Sequence, residues 1–339
     1  MRLTRHTATP GILLASLVIS VGCTTAPQSD GEPSPGPRYG HEMVYDEARE
    51  EVILFGGFGP DGVPKGDTWA WNGAAWRRVA ETGPSPRKWP AAAYDSRRGL
   101  VVLHGGRDGV GRSGPSLSDT WIWNGREWQQ ASVNGPTPRD HHRAAYDEAR
   151  DRVVLFGGWN GESLENDTWE WDGAEWQRVA NDGPGPRAPF GMAYHESLES
   201  VVIAGGQDLN GAFDDIWAWN GSAWHRVDSA VPSARGFHAM TSVPGTESVV
   251  VFGGRNGDEL LNDLWEWNGR QWRRISSDGP VRRGIYASAY DQRRGELIVH
   301  GSGDRVGNSW ILESETWAWK AGQGWRLLSP AIDQTVEER

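Results

Sequence analysis

The sequence predicts an all-β fold of six four-stranded antiparallel sheets closed into a ring. Three observations predict it. A unit of about 48 residues recurs six times. Each unit carries the pattern of four short strands. One of those strands is apolar throughout, so its sheet needs cover on both faces.

The repeat opens with an arginine, at Arg38, Arg87, Arg139, Arg187, Arg235 and Arg283. Eighteen residues later stands a small pair: Gly56-Gly57, Gly105-Gly106, Gly157-Gly158, Gly205-Gly206, Gly253-Gly254 and Gly301-Ser302. Two tryptophans follow, as in Trp169 and Trp171, and then a third, as in Trp176. Eighteen of the 21 tryptophans obey this rule. All the length variation lies between the small pair and the first tryptophan, which predicts a loop there.

In unit three, His142–Asp147 reads as a first strand of small apolar residues ending in tyrosine. Arg152–Gly158 is a continuous β-branched run, the mark of a strand buried on both faces. Asp167–Trp171 places both tryptophans on one side by the period of two. The fourth strand, Glu175–Val179, follows Asp172-Gly173, a strong hairpin signal. Unit six has Lys320-Ala321-Gly322 there, one residue longer, which predicts a different turn. Asp46/Arg49, Asp95/Arg98, Asp147/Arg150 and Asp291/Arg294 bracket a tight turn between strands one and two, and units four and five lack the bracket.

The ends differ from the repeats. Residues 1–22 have Arg2 and Arg5 ahead of the apolar Gly11–Gly22, too short to span a bilayer and suited to an export signal. Ile19-Ser20-Val21-Gly22-Cys23 resembles a relaxed bacterial lipobox, so Cys23, the sole cysteine, is expected to be lipidated. Residues 23–37 read as a flexible tether, 38–330 as the ring and 331–339 as an unpacked tail. Removing the signal leaves 32 basic against 45 acidic residues, a net charge of −13, which argues against nucleic acid. With one cysteine no internal disulfide forms, so stability must come from packing. The expected location is extracytoplasmic, in a bacterial cell envelope, with the membrane as a partner through Cys23. A monomer is expected.

The glycine pair, the Tyr-Asp turn and the spaced tryptophans resemble the kelch repeat, in a bacterial variant with Pro-x-Arg ahead and Trp-x-Trp-Asn-Gly behind. The resemblance implies a six-bladed β-propeller, one unit per blade. Packing physics agrees, because a ring gives each two-sided sheet two neighbours. A buried tryptophan removes roughly 200 Å² from water, about 5 kcal/mol as an upper bound. Three in each blade make a core, and their regularity marks them as packing residues. With nothing strand-like before Arg38, blades one and six are expected to meet by side-chain packing alone.

Relatives of this fold bind proteins, and some are enzymes, so function rests on the residues. Galactose-oxidase-like chemistry needs a cysteine beside copper, and the one cysteine lies in the export segment. Sialidase boxes, His-Glu-x-x-His, Gly-x-Ser-x-Gly and phosphate loops are all missing from the sequence. Carboxylates are plentiful, which leaves a carbohydrate-active enzyme as the alternative. His41, His142 and His238 share one place in alternate blades, too far apart for a metal, and read as packing. The repeated arginines and the acids Asp67, Asp119, Asp167, Asp215, Asp263 and Glu315 read as structural pairs on one face. No cofactor is expected.

What breaks the repeat points to a site. On that same face the variable positions are Tyr39, Lys88, Trp89, Arg107, His141, Trp159, Gln207, Phe237, Arg255 and Arg305. The three irregular tryptophans, Trp89, Trp159 and Trp310, all fall in these segments. Aromatic and arginine side chains on loops held by a rigid frame make a recognition surface. The expectation is therefore a binding module for a protein or polysaccharide ligand.

Overall fold

Why glycine recurs as a pair is the key to how the blades join. A Cβ on the first glycine would meet the carbonyl oxygen of the next blade's arginine, at 2.7 Å for Gly56 and Arg87, and again for Gly105 and Arg139. Both of those glycines also have positive φ, +72° and +61°. The second glycine then donates its N–H to that carbonyl: Gly57 to Arg87 at 2.9 Å, Gly106 to Arg139 at 2.9 Å, Gly206 to Arg235 at 2.8 Å. Where both residues are glycine, the pair is a backbone joint between neighbouring sheets in which a Cβ would crowd the next arginine's carbonyl or the blade's own loop. Blade six carries Ser302 at the second place.

The computed structural model describes residues 34–110, 114–131, 134–280, 284, 287–306, 309–329 and 334–337. The export segment, Cys23, Arg283 and Ile285 lie outside the described residues, as does the side chain of Arg305. Six antiparallel sheets follow the chain, each with its strands in sequence order. Blade three is built from Arg143–Asp147, Arg152–Phe156, Thr168–Trp171 and Trp176–Ala180. The first strands of successive blades adjoin around an axis, and those of blades one and six adjoin too, which closes the propeller. Among the described residues the one helical element is a single 3-10 turn, Glu196–Leu198, where blade four lacks the Asp/Arg bracket. The turn of blade six is longer, as expected, with Lys320 opposite Gly324.

Each seam between blades holds its own hydrophobic cluster, six in all. The second tryptophan of strand three is almost wholly buried, as at Trp123, Trp219 and Trp267. The third tryptophan reaches back across the seam and donates its indole N–H to a threonine of the preceding blade. Trp128 bonds Thr68 at 2.8 Å, Trp176 bonds Thr120 at 2.9 Å and Trp224 bonds Thr168 at 2.8 Å. Trp76 bonds Thr316 at 2.9 Å and so locks blade one to blade six. The turn arginines add a second lock: Arg98 donates to the carbonyl of Asp172 at 2.7 Å, and Arg294 likewise to Asn72.

Two expectations need correction. The closing seam is held by more than side-chain packing, since Arg38 N–H also donates to the Glu313 carbonyl at 3.4 Å. The weaker seams flank blade five, where Ile216 and Leu264 stand in place of the threonine. There the indole nitrogens of Trp272 and Trp325 have no hydrogen-bond partner among the described residues. The tail also pairs: Gln334–Glu337 adds a strand to blade six, with Leu312 opposite Gln334 and Ser309 opposite Glu337. It extends its own blade and staples no other.

The threonine lock predicts a cost. Thr168→Val keeps the shape but strands the buried Trp224 N–H, and about 1–3 kcal/mol of stability is expected to be lost. Denaturant unfolding measures it; an unchanged midpoint would show that the lock contributes nothing.

Candidate functional site

The arginines do not form a ligand clamp. Each guanidinium is spent inside its blade: Arg139 Nη1 and Nη2 meet Asp167 at 2.6 and 3.0 Å, and Nη1 also donates to the Gly157 carbonyl at 3.0 Å. The same arrangement recurs with Arg38–Asp67, Arg87–Asp119, Arg187–Asp215 and Arg235–Asp263. Each acid also accepts the first tryptophan's N–H, as from Trp169 at 2.7 Å. Burial works against ionisation of Asp167, but the hydrogen bonds and charge of Arg139 outweigh it and hold the carboxyl below its usual range. The pair expected between Arg283 and Glu315 lies outside the described residues.

This rigid frame sets the arginine-led loops around one mouth of the axis. Two residues after the arginine the loops of blades one, two, three and five turn sharply. Gly40 does so with φ +66°, but Trp89, His141 and Phe237 adopt +54°, +56° and +57° with full side chains. A left-handed conformation costs a non-glycine residue about 1–2 kcal/mol. The three side chains gather. Trp89 stacks on His141 with ring centroids 4.0 Å apart, and Phe237 meets His141 edge-on at 6.4 Å. Asp140 fixes His141 through Nδ1 and is itself held by Arg107 Nε and Ser116 Oγ, each at 2.8 Å. Burial pushes the His141 pKa down despite Asp140.

The other variable positions surround this cluster. The residue after each glycine pair bonds backbone to backbone with an arginine-led loop: Phe58 with Tyr39, Arg107 with Lys88, Trp159 with Asp140, Arg255 with Gly236. Ala188 N–H likewise donates to the Gln207 carbonyl at 3.0 Å. The variable positions of neighbouring loops thus lie side by side on one face. Tyr39 and Lys88, however, are buried beneath it rather than displayed on it. Tyr39 packs on Phe58 and Leu312. The Lys88 ammonium lies 4.8 Å from the Phe58 ring and 4.9 Å from the Trp89 ring, and burial, then Arg107, brings its pKa down to about 8. Trp89, His141, Trp159, Gln207, Phe237 and Arg255 remain partly exposed.

Three aliphatic tips stand out from the same face: Val63 is 45% exposed, Val110 57% and Leu209 88%. In blades five and six the expected loops are instead continued strands. Ser248–Asn256 pairs with Glu259–Trp267, and Glu296–Val306 with Ser309–Lys320, so two hairpins rise beside the mouth. The histidines of blades one and three pack on other rings, His41 on His300 and His142 on His104, with centroids 5.7 and 5.5 Å apart. No group of three or more metal-binding side chains converges among the described residues.

A feature that sequence reasoning missed lies below the mouth. The first strands begin with Ala91, Gly191, Ala239 and Ala287 in four blades, but with Glu42 in blade one and Arg143 in blade three. Glu42 and Arg143 meet at 3.0 Å inside the axial channel. The signal was in the repeat, at a position otherwise small.

Six sheets around an axis, with a variable mouth on a fixed frame, define a β-propeller recognition scaffold. The model of the KLHDC2/KLHL20/DRC7 Kelch-repeats domain matches residues 14–169 and 72–225, and the chain belongs to the kelch-repeat family. It is similar to the serine/threonine-protein phosphatase BSL2 of Arabidopsis thaliana, 35% identical over 37% of this chain and 13% of that protein. It is also similar to the multiple epidermal growth factor-like domains protein 8 of Homo sapiens, 33% identical over 38% of this chain and 5% of that protein. The F-box/kelch-repeat protein At1g51550 of Arabidopsis thaliana is 30% identical over 37% of this chain and 28% of its own length. The chain therefore matches under a third of each relative.

Proposed function

We propose that the chain is a protein-binding module whose ligand docks on the arginine-loop face, and that it works outside the cytoplasm on a lipid tether at Cys23. One observation carries the docking assignment. Three aromatic side chains hold a backbone conformation suited to glycine, at equivalent places around one mouth, where Gly40 shows that glycine serves the fold. Strain kept at a surface mouth supports a role in recognition.

A protein ligand fits better than a polysaccharide. A sugar platform needs an open ring face, whereas Trp89 is stacked on His141 and the aliphatic tips of Val63, Val110 and Leu209 stand out from the face. Immobilised protein offered an envelope extract and a glycan array in parallel is expected to retain a protein and no glycan. A glycan retained alone would overturn the ligand class.

The tether rests on the lipobox likeness of residues 19–23 and the polar, proline-rich stretch that follows. Stable anchoring requires more than one acyl chain. In detergent phase partitioning the wild type is expected in the detergent phase and Cys23→Ser in the aqueous phase. Equal aqueous partitioning of both would exclude the anchor.

A further inference from the structure

The axial channel holds a charged pair, Glu42 and Arg143, near its aromatic mouth. We propose that this channel binds a small carboxylate at Arg143, in exchange for the carboxylate of Glu42. The inference is independent of the docked protein ligand.

The geometry is that of a site already holding its ligand's chemical group. Arg143 Nη1 bonds Glu42 at 3.0 Å and Nε donates to the Phe190 carbonyl at 3.2 Å. These contacts fix the plane of the guanidinium, and Nη2 has no hydrogen bond among the described residues. A guanidinium edge matches a carboxylate with two parallel N–H donors. Around the pair lies a cavity of about 180 Å³, walled by residues such as Met43, Ala144, Met192 and Met240, with room for a short alkyl tail.

Glu42 is a poor permanent partner. Burial raises its pKa to about 7, even with Arg143 beside it. Once Glu42 is protonated, no other acid among the described residues is paired with Arg143, and Asp140 is held by Arg107, Ser116 and His141. His41, His141, His142 and His238 face this end from blades one, three and five, and burial drives each toward its neutral form. The arginines behind them, Arg38, Arg139 and Arg235, are each locked to an aspartate. Blades two, four and six present Ala91, Gly191 and Ala287. Glu47, Glu148 and the strand-ending tyrosines line the far end, roughly 13 Å along a five-residue strand. A lone, mostly buried cation draws in an anion.

The sign of the linkage follows. Anion binding and proton uptake at Glu42 favour each other, so affinity rises as pH falls toward about 7 and then levels off. Above that value it is expected to drop roughly tenfold per pH unit.

Acetate, titrated calorimetrically into the full-length protein from pH 5.5 to 8.5 against a chloride control, is the probe. Wild type is expected to bind acetate with that pH profile and with proton uptake. Glu42→Gln is expected to bind it equally at every pH, and Arg143→Gln to lose it. Should Arg143→Gln fail to fold, the Glu42→Gln profile decides. No acetate binding at pH 6, unchanged binding in a folded Arg143→Gln, or a pH dependence that survives Glu42→Gln would each overturn the proposal.

Discussion

Asp167→Ala is expected to lower the stability of the propeller by about 3–5 kcal/mol, the cost of leaving a buried charge without its partner. The Arg139 side chain is fully buried, and its remaining contacts are carbonyls and one hydroxyl, on Gly157 and Thr137. Those oxygens orient a guanidinium without neutralising it. The substitution also frees the Trp169 indole N–H, bonded to Asp167 at 2.7 Å. Asp167→Asn, which keeps the acceptor but not the charge, is expected to lose less. The pair has a pH signature too. Its aspartate has a lowered folded-state pKa, so its contribution is present above the ordinary value of 3.8 and is lost as pH falls through the folded value. Denaturant midpoints at neutral and acid pH for wild type and Asp167→Ala measure both. A loss below about 1 kcal/mol, the range of exposed pairs, would contradict the structural role.

Trp89→Ala and Phe237→Ala are each expected to weaken ligand binding by about 2 kcal/mol or more, some thirtyfold, as truncations of central aromatic contacts do. The effect on folding runs the other way from an ordinary core truncation. At Phe237 the backbone stands at φ +57°, so Phe237→Gly relieves strain while losing one edge contact with His141. Stability is expected to stay within about 1 kcal/mol. Phe190, fully buried in the seam of blades three and four, is the contrast: Phe190→Ala is expected to cost about 3–5 kcal/mol.

Much of this was legible in the sequence because a repeat repeats its physics. Arg139 and Asp167 are 28 residues apart, but their sixfold recurrence on one face was enough to pair them. The glycine pair was plain as a recurrence, yet its partner, a carbonyl of the next blade, could not be read from one unit. The hairpins of blades five and six read as loops because these segments carry no strand alternation; pairing with each other makes them strands. Tyr39 and Lys88 were expected on the surface because they vary. Variation also occurs where a loop packs on its neighbour, and there Leu312 and the Phe58 and Trp89 rings cover them. The left-handed backbone at Trp89, His141 and Phe237 left no mark in residue type, since aromatic residues are unfavourable there. Gly40 in blade one was the one hint, a glycine at the same register.

The arginine-loop face, and not the Asn-Gly face, is the proposed seat of ligand binding. Side-by-side titration of the captured ligand against Trp89→Ala, Trp159→Ala and Phe237→Ala, with Asn124→Ala and Asn220→Ala on the opposite face, tests it directly. Loss of affinity is predicted for the first three alone, with all five variants folded. Loss confined to Asn124→Ala and Asn220→Ala would place the ligand on the other face and contradict the account.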